Sequence, residues 1–228
     1  MKLPLRKIGR PVQLSQRVYE VLLDSILGVK IGAETPLRID AIASQLGISS
    51  TPVRDALNRL EKDGLIVKQP YQSWVVRKFH PEEVRELYEL RAGVECFAVR
   101  LACQRITADG IEWLKNHQKE GEEAIRRNDM EAYQTYNKEL HAAIFKFAKN
   151  SQLSKVMDAL SLQLQMLMAQ TIRFSGRPAR ALREHAALID AMERGSEQEA
   201  QRIMEDHLMA ALEDILKANT KLRFNHGR

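Results

Sequence analysis

A chain of 228 residues, 44% hydrophobic and 29% charged, has the make-up of a globular protein able to bury one or two cores. Only 6% of its residues are aromatic, and glycine and proline are few, which favours a mostly helical fold. No run of about 18 apolar residues is present, which excludes a membrane-spanning helix. The basic opening MKLPLRKIGRP lacks the apolar centre of a signal peptide, so a cytoplasmic location is expected. The net charge of +5 is uneven: residues 1–80 hold 13 Lys/Arg against 7 Asp/Glu, and residues 81–228 hold 22 against 23. The positive field belongs to the N-terminal third, as in a module that neutralises phosphates.

Taken in order, a basic arm at 1–11 precedes a helix expected from Leu14 to Val29, with Val18, Leu22, Ile26 and Val29 facing inward. A second helix is expected from Arg38 to Leu46, its apolar face carrying Ile39, Ile42, Ala43 and Leu46. Gly47 then makes a tight turn into a third helix over Ser50–Asp63, ended by Gly64. Ser49, Ser50 and Thr51 are able to cap that helix, and Pro52 suits its first turn. Val53, Ala56, Leu57 and Leu60 pack inward, leaving Arg54, Asn58 and Arg59 outside. Hydroxyls and unpaired N–H groups at a helix start, with an arginine one turn in, suit phosphates and the base edges beside them. This is the pattern of a helix-turn-helix whose second helix enters a major groove.

Two β-rich runs, Leu65–Lys68 and Trp74–Arg77, flank a turn with Pro70 and read as a hairpin, the wing of a winged helix. Winged-domain boundaries at 12–79 follow, with Phe79-His80-Pro81 as the junction. Beyond it the pattern predicts an all-helical domain over 80–222 and a short tail at 223–228. Six helices are expected, at about 81–105, 108–127, 129–149, 152–173, 178–193 and 197–220, separated by breaking or capping residues. Cys96 and Cys103 lie two helical turns apart, roughly 10 Å, too far for a disulfide, and read as core residues.

Three histidines fall on apolar helical faces. His141 shares a face with Asn137, Ile144, Phe145 and Ala148; His185 lies among Leu182, Leu188, Ile189 and Met192; His207 lies among Ile203, Met204, Leu208 and Ala211. A core histidine with a satisfied hydrogen bond is the ordinary reading of each alone. Three helices that each point an imidazole inward suggest a site for a divalent transition metal, zinc or nickel foremost, inside a bundle. Three neutral imidazoles leave the metal charge uncompensated, so an anionic ligand, most simply a carboxylate, completes the site. His80, His117 and His226 receive no role.

The stretch SSTPVRDALNRLEKDGL resembles the SRTPVREAL.RL...GL signature of GntR-type transcription regulators. LYELRAGVE, followed by Asn137, His141, Glu184-His185 and His207-Leu208, is similar to the helical effector domain (FCD) of the FadR-like branch. The resemblance implies a homodimer on a pseudo-palindromic double-stranded DNA operator, acting as a repressor under control of a small organic acid. It implies DNA contacts from Arg38, Thr51 and Arg54, beside those expected of Ser49, Ser50 and Arg59. Asn137, His141, His185 and His207 match the metal ligands of metal-containing members, and Arg91 matches a pocket arginine that pairs with an effector carboxylate. A salt bridge to Glu95, four residues on, is the competing role for Arg91.

Three departures stand out: Ser50 replaces the usual arginine, Ser73-Trp74 replaces a wing glycine, and Asn137 replaces an aspartate. Two other classes compete. A metal-dependent hydrolase with a regulatory winged domain fits the histidines, although the sequence gives them no inward carboxylate as general base. A winged module that binds protein and not DNA is opposed by the +6 charge of residues 1–80.

Overall fold

The computed structural model describes residues 12–69, 73–171 and 177–225. The basic arm at 1–11, the wing turn at 70–72 and His226 lie outside the described residues. The chain divides into two compact units, one of residues 1–78 with 162–170, the other of 79–161 with 171–228.

In the first unit, α1 (Val12–Leu27), α2 (Ile39–Leu46) and α3 (Ser50–Lys62) pack with a small antiparallel sheet. Its strands are β1 (Pro36–Leu37), β2 (Ile66–Lys68) and β3 (Trp74–Val76), in the order β1-β3-β2. Val67 pairs with Val75 and Lys68 with Trp74 across the wing hairpin. β1 is not foreseen by the sequence, because two residues carry no periodicity. The inner face of α3, Val53, Ala56, Leu57 and Leu60, is fully buried, as patterned. Gly47 turns the chain in the left-handed region at φ 65°, and Gly64 does the same at φ 75° just beyond α3.

Two expected core residues are corrected. Val29 sits past the end of α1 at φ 55° and is half exposed, because α1 stops at Leu27. Leu46, at the last turn of α2, is 40% exposed.

The second unit is helical: α4 (Pro81–Arg105), α5 (Ala108–Arg126), α6 (Met130–Ala148), α8 (Arg177–Glu193) and α9 (Glu197–Asn225). The remaining helix, α7 (Ser151–Thr171), crosses the division between units. Within the first unit Leu164, Met166 and Leu167 are buried apolar residues, and Gln163 lies 3.4 Å from Arg77 and against Gly64. α9 continues past the expected end near 220 into the expected tail. Local signals fix the starts. Glu83 accepts from the His80 N–H at 2.8 Å, Thr107 from Gly110 at 3.3 Å and Asp129 from Ala132 at 3.0 Å.

Within this unit α4 lies along α9 and α6, while α5 packs on α6 and α8, and α8 on α9. The core they enclose includes Val99, Ala102, Leu114, Leu140, Ile144, Leu188, Met192, Met204 and Leu208. Burial of such side chains contributes roughly 1.5–3 kcal/mol each, so the helices are held mainly by this interior. The polar residues placed inside it are exceptions that call for partners.

Candidate functional site

His141 on α6, His185 on α8 and His207 on α9 meet in that interior, 6%, 1% and 6% exposed. Their ring centroids are 5.6 Å (His141–His185), 5.4 Å (His141–His207) and 4.6 Å (His185–His207) apart. One ring nitrogen from each lies within 4.8 Å of the others. The structure thus brings together the three histidines that the helical periodicity singles out.

Each ring is held through Nδ1. The carboxylate of Glu95 on α4 lies 2.5 Å from His141 Nδ1, and that of Glu184 lies 2.7 Å from His207 Nδ1. The Tyr136 hydroxyl is 3.1 Å from His185 Nδ1. A carboxylate only accepts, so His141 and His207 carry their protons on Nδ1 and direct a lone pair through Nε2. Arg177 Nη2 also approaches His207 Nδ1, at 3.2 Å, but it donates to the His207 carbonyl at 2.8 Å. Nε2 of His141 and Nε2 of His185 are buried with no hydrogen-bond partner. Two orphaned, converging imidazole nitrogens, with Nδ1 held from behind, have the chemistry of a metal site and are costly otherwise.

Charge agrees with that fit. Burial, then His207 and His141, hold His185 well below the usual imidazole value. Burial, then His141 and the Arg177 and Arg91 charges, do the same for His207. Both are neutral, as metal ligands must be. Burial pushes the Glu95 carboxyl up, but the Arg91 charge and then His141 overrule it and hold it well below the carboxylate range.

Arg91 is where the two readings of the sequence part. Its Nε lies 2.5 Å from Glu95 Oε1 in a buried pair, so the i+4 salt bridge is present. Arg91 therefore fixes the carboxylate that fixes His141. The carboxylates of Glu95, buried, and Glu184, part-buried, thus stand behind two of the three rings, although the sequence pattern pairs no inward carboxylate with the histidines. Glu95 is legible in hindsight as a charge on the α4 face that carries Ala98 and Ala102. Tyr136, Gln118 and Arg177 are missed because each looks like an ordinary helix residue until its partner helix arrives. Asn137 is half-buried one turn before His141. His117, given no role, is buried between Glu120 at 2.8 Å and the Tyr136 carbonyl at 3.1 Å.

In the first unit the nucleic-acid candidates are mostly outward. Arg38 is exposed at the N-cap of α2; Ser49, Thr51 and Arg54 are exposed at the start of α3, and Ser50 is half-buried. Ser49 occupies the N-cap of α3 with extended backbone, yet its side chain makes no capping hydrogen bond, contrary to its expected role. Arg59 is committed: its guanidinium lies 3.9 Å over the Tyr19 ring and donates to Gln16 on α1. It braces α1 against α3 while the residue stays exposed, as its outward position in the sequence pattern expects. Trp74 is buried, and its indole N–H donates to Glu61 on α3 at 2.8 Å, tying the wing strand to that helix.

A family model for bacterial regulatory proteins of the gntR family matches residues 14–76, and one for the FCD domain matches residues 86–210. The chain belongs to the GntR family. This GntR-family protein is 23% identical over 202 residues to the HTH-type transcriptional repressor RspR of Escherichia coli, covering 89% of each chain. It is 25% identical over 215 residues to a probable D-xylose utilization operon transcriptional repressor of Paenarthrobacter nicotinovorans, covering 94% of this chain and 93% of that one. In fold it is similar to E. coli McbR/YncC, with a TM-score of 0.72 at 20% identity, covering 90% of this chain and 98% of that one. The family and these relatives are transcription regulators. The protein is one too, and not an enzyme, which overturns the hydrolase alternative. Among the described residues no helix is long and apolar enough to cross a membrane.

Proposed function

We propose that the protein is a metal-containing repressor that binds a pseudo-palindromic operator as a homodimer and answers to a small carboxylate in its helical unit. The observation that carries this reading is the buried cage of His141, His185 and His207, each ring held through Nδ1. Asn137, one turn before His141, is the fourth ligand in this reading. A bound divalent transition metal, zinc or nickel foremost, supplies positive charge on which a carboxylate is anchored. Arg91 and Arg177, whose charges both act on His207, add to the field that an anionic effector meets.

On the DNA side, two copies present their α3 helices to successive major grooves about 34 Å apart. Arg54 and Thr51 reach the bases and flanking phosphates, supported by Ser49, Ser50, Arg38 and the basic arm. Lacking an arginine at Ser50, the protein leans more heavily on Arg54 for recognition. The effector shifts operator affinity only by as much as it binds the two states of the helical unit differently.

Elemental analysis of the purified protein after zinc or nickel reconstitution tests the cage. About one metal per chain is expected, falling in His141→Ala, His185→Ala and His207→Ala. Wild-type protein without stoichiometric metal would return the histidines to a purely structural role.

A further inference from the structure

α5 carries a buried polar side chain on the face it turns to α6 and α8. Gln118 is 7% exposed, between Leu114 and Gly121 on the same side of the helix. Its amide nitrogen donates to the Leu182 carbonyl on α8 at 3.0 Å and to Glu122 at 3.2 Å. Both of those partners can only accept, so the amide has one permitted orientation, with its oxygen towards Tyr136. The Tyr136 hydroxyl lies 2.5 Å from that oxygen. An amide oxygen also only accepts, so the single hydroxyl proton of Tyr136 is committed to Gln118. The Tyr136 oxygen then meets His185 Nδ1, 3.1 Å away, as an acceptor and never as a donor. His185 must carry its proton on Nδ1, leaving its lone pair on the buried, unpartnered Nε2.

A second observation places the tyrosine. A Cβ on Gly121 would lie 2.6 Å from Cδ1 and Cε1 of the Tyr136 ring. The ring rests on the α5 backbone in a space that only glycine leaves open. Gly121 and Gln118, one turn apart, thus seat the ring and point its hydroxyl proton.

We propose that Gln118 is a positioning residue for the metal cage: acting through Tyr136, it fixes His185 in the Nδ1–H tautomer, so that Nε2 is free to ligate. The direction of this relay originates in the Leu182 carbonyl, three residues before His185 on the same helix. With the Gln118 acceptor removed, the tyrosine proton turns to His185 Nδ1, the imidazole proton moves to Nε2, and the nitrogen meant for the metal is blocked. No change of net charge is involved. The metal role rests on the reading of the preceding section, whereas the tautomer can be read in metal-free protein.

The test uses the 15N-labelled full chain and long-range imidazole 1H–15N correlations, together with zinc affinity by competition. Wild type is expected to show His185 as Nδ1–H. Gln118→Leu is expected to move it towards Nε2–H and to weaken zinc binding about 10- to 100-fold. Gln118→Glu retains an acceptor for the tyrosine and is expected to restore the Nδ1–H form. Tyr136→Phe keeps the ring against Gly121 and removes only the hydroxyl. It is expected to weaken zinc binding similarly, and it serves if the leucine variant does not fold. Wild-type His185 protonated on Nε2 would overturn the proposal. So would a Gln118→Leu protein that keeps Nδ1–H and binds zinc within about twofold of wild type. A tautomer that follows Gln118 in a protein that takes up no zinc would overturn the metal reading while sustaining the relay.

Discussion

The start of α3 and the histidine cage place their polar side chains in opposite surroundings. At α3 the useful residues, Ser49, Thr51 and Arg54, are exposed, and the N-cap hydroxyl forms no capping bond. On the proposed function their chemistry is held open for a partner that brings its own phosphates and base edges. In the cage the three histidines are buried, and each Nδ1 has a protein partner. There the second layer of side chains determines what the first can do. Removing an exposed residue at the start of α3 is therefore expected to spare the fold, while removing one behind the cage is expected to disturb it.

That contrast is sharpened most strongly at Glu95. Glu95→Ala leaves Arg91 as an unpaired buried cation and His141 without its orienting carboxylate. A loss of roughly 3–5 kcal/mol of stability is expected, together with loss of metal. Chemical denaturation and metal content check both at once. A variant as stable as wild type would mean the interior is far less dry than the 0% exposure of Glu95 implies.

Arg54→Ala tests the opposite pole. Its side chain is exposed, so thermal stability should stay within about 0.5 kcal/mol of wild type. Specific operator binding should weaken by roughly 1–3 kcal/mol, enough to erase a footprint at moderate salt. An unchanged footprint would remove Arg54 from recognition.

A smaller effect comes from pH. His185 and His207 have folded-state pKa values well below the ordinary 6.5, so the unfolded chain binds protons that the folded one refuses. Stability from this source is complete above pH about 6.5 and is lost as pH falls, at roughly 1 kcal/mol per histidine over the first pH unit. Melting curves of metal-free protein between pH 7.5 and 5.5 should show the decline, and it should shrink in His185→Gln.

Much of this was readable from the chain because it depends on local rules. The α3 face of Val53, Leu57 and Leu60, the turn at Gly47 and the three inward histidines all follow from helical periodicity and glycine geometry. What escaped depends on which helices become neighbours. Glu95 and His141 are far apart in the chain, and so are Gln118 and His185; no spacing rule links either pair. Arg59 has a partner of the same long-range kind. Its outward position on α3 is right, but Tyr19 on a different helix claims its guanidinium. Trp74, which breaks the expected wing pattern, turned out to be a brace to Glu61.

The burial of the cage has a consequence in time. His141, His185 and His207 are only 1–6% exposed, so on the proposed function an ion held by them would exchange slowly, in step with openings of α6, α8 or α9. Metal release into a chelator should then proceed at the rate of that opening and show little dependence on chelator strength. On the proposed function such an ion would be a built-in part of the receptor, and the changing signal would be left to the carboxylate.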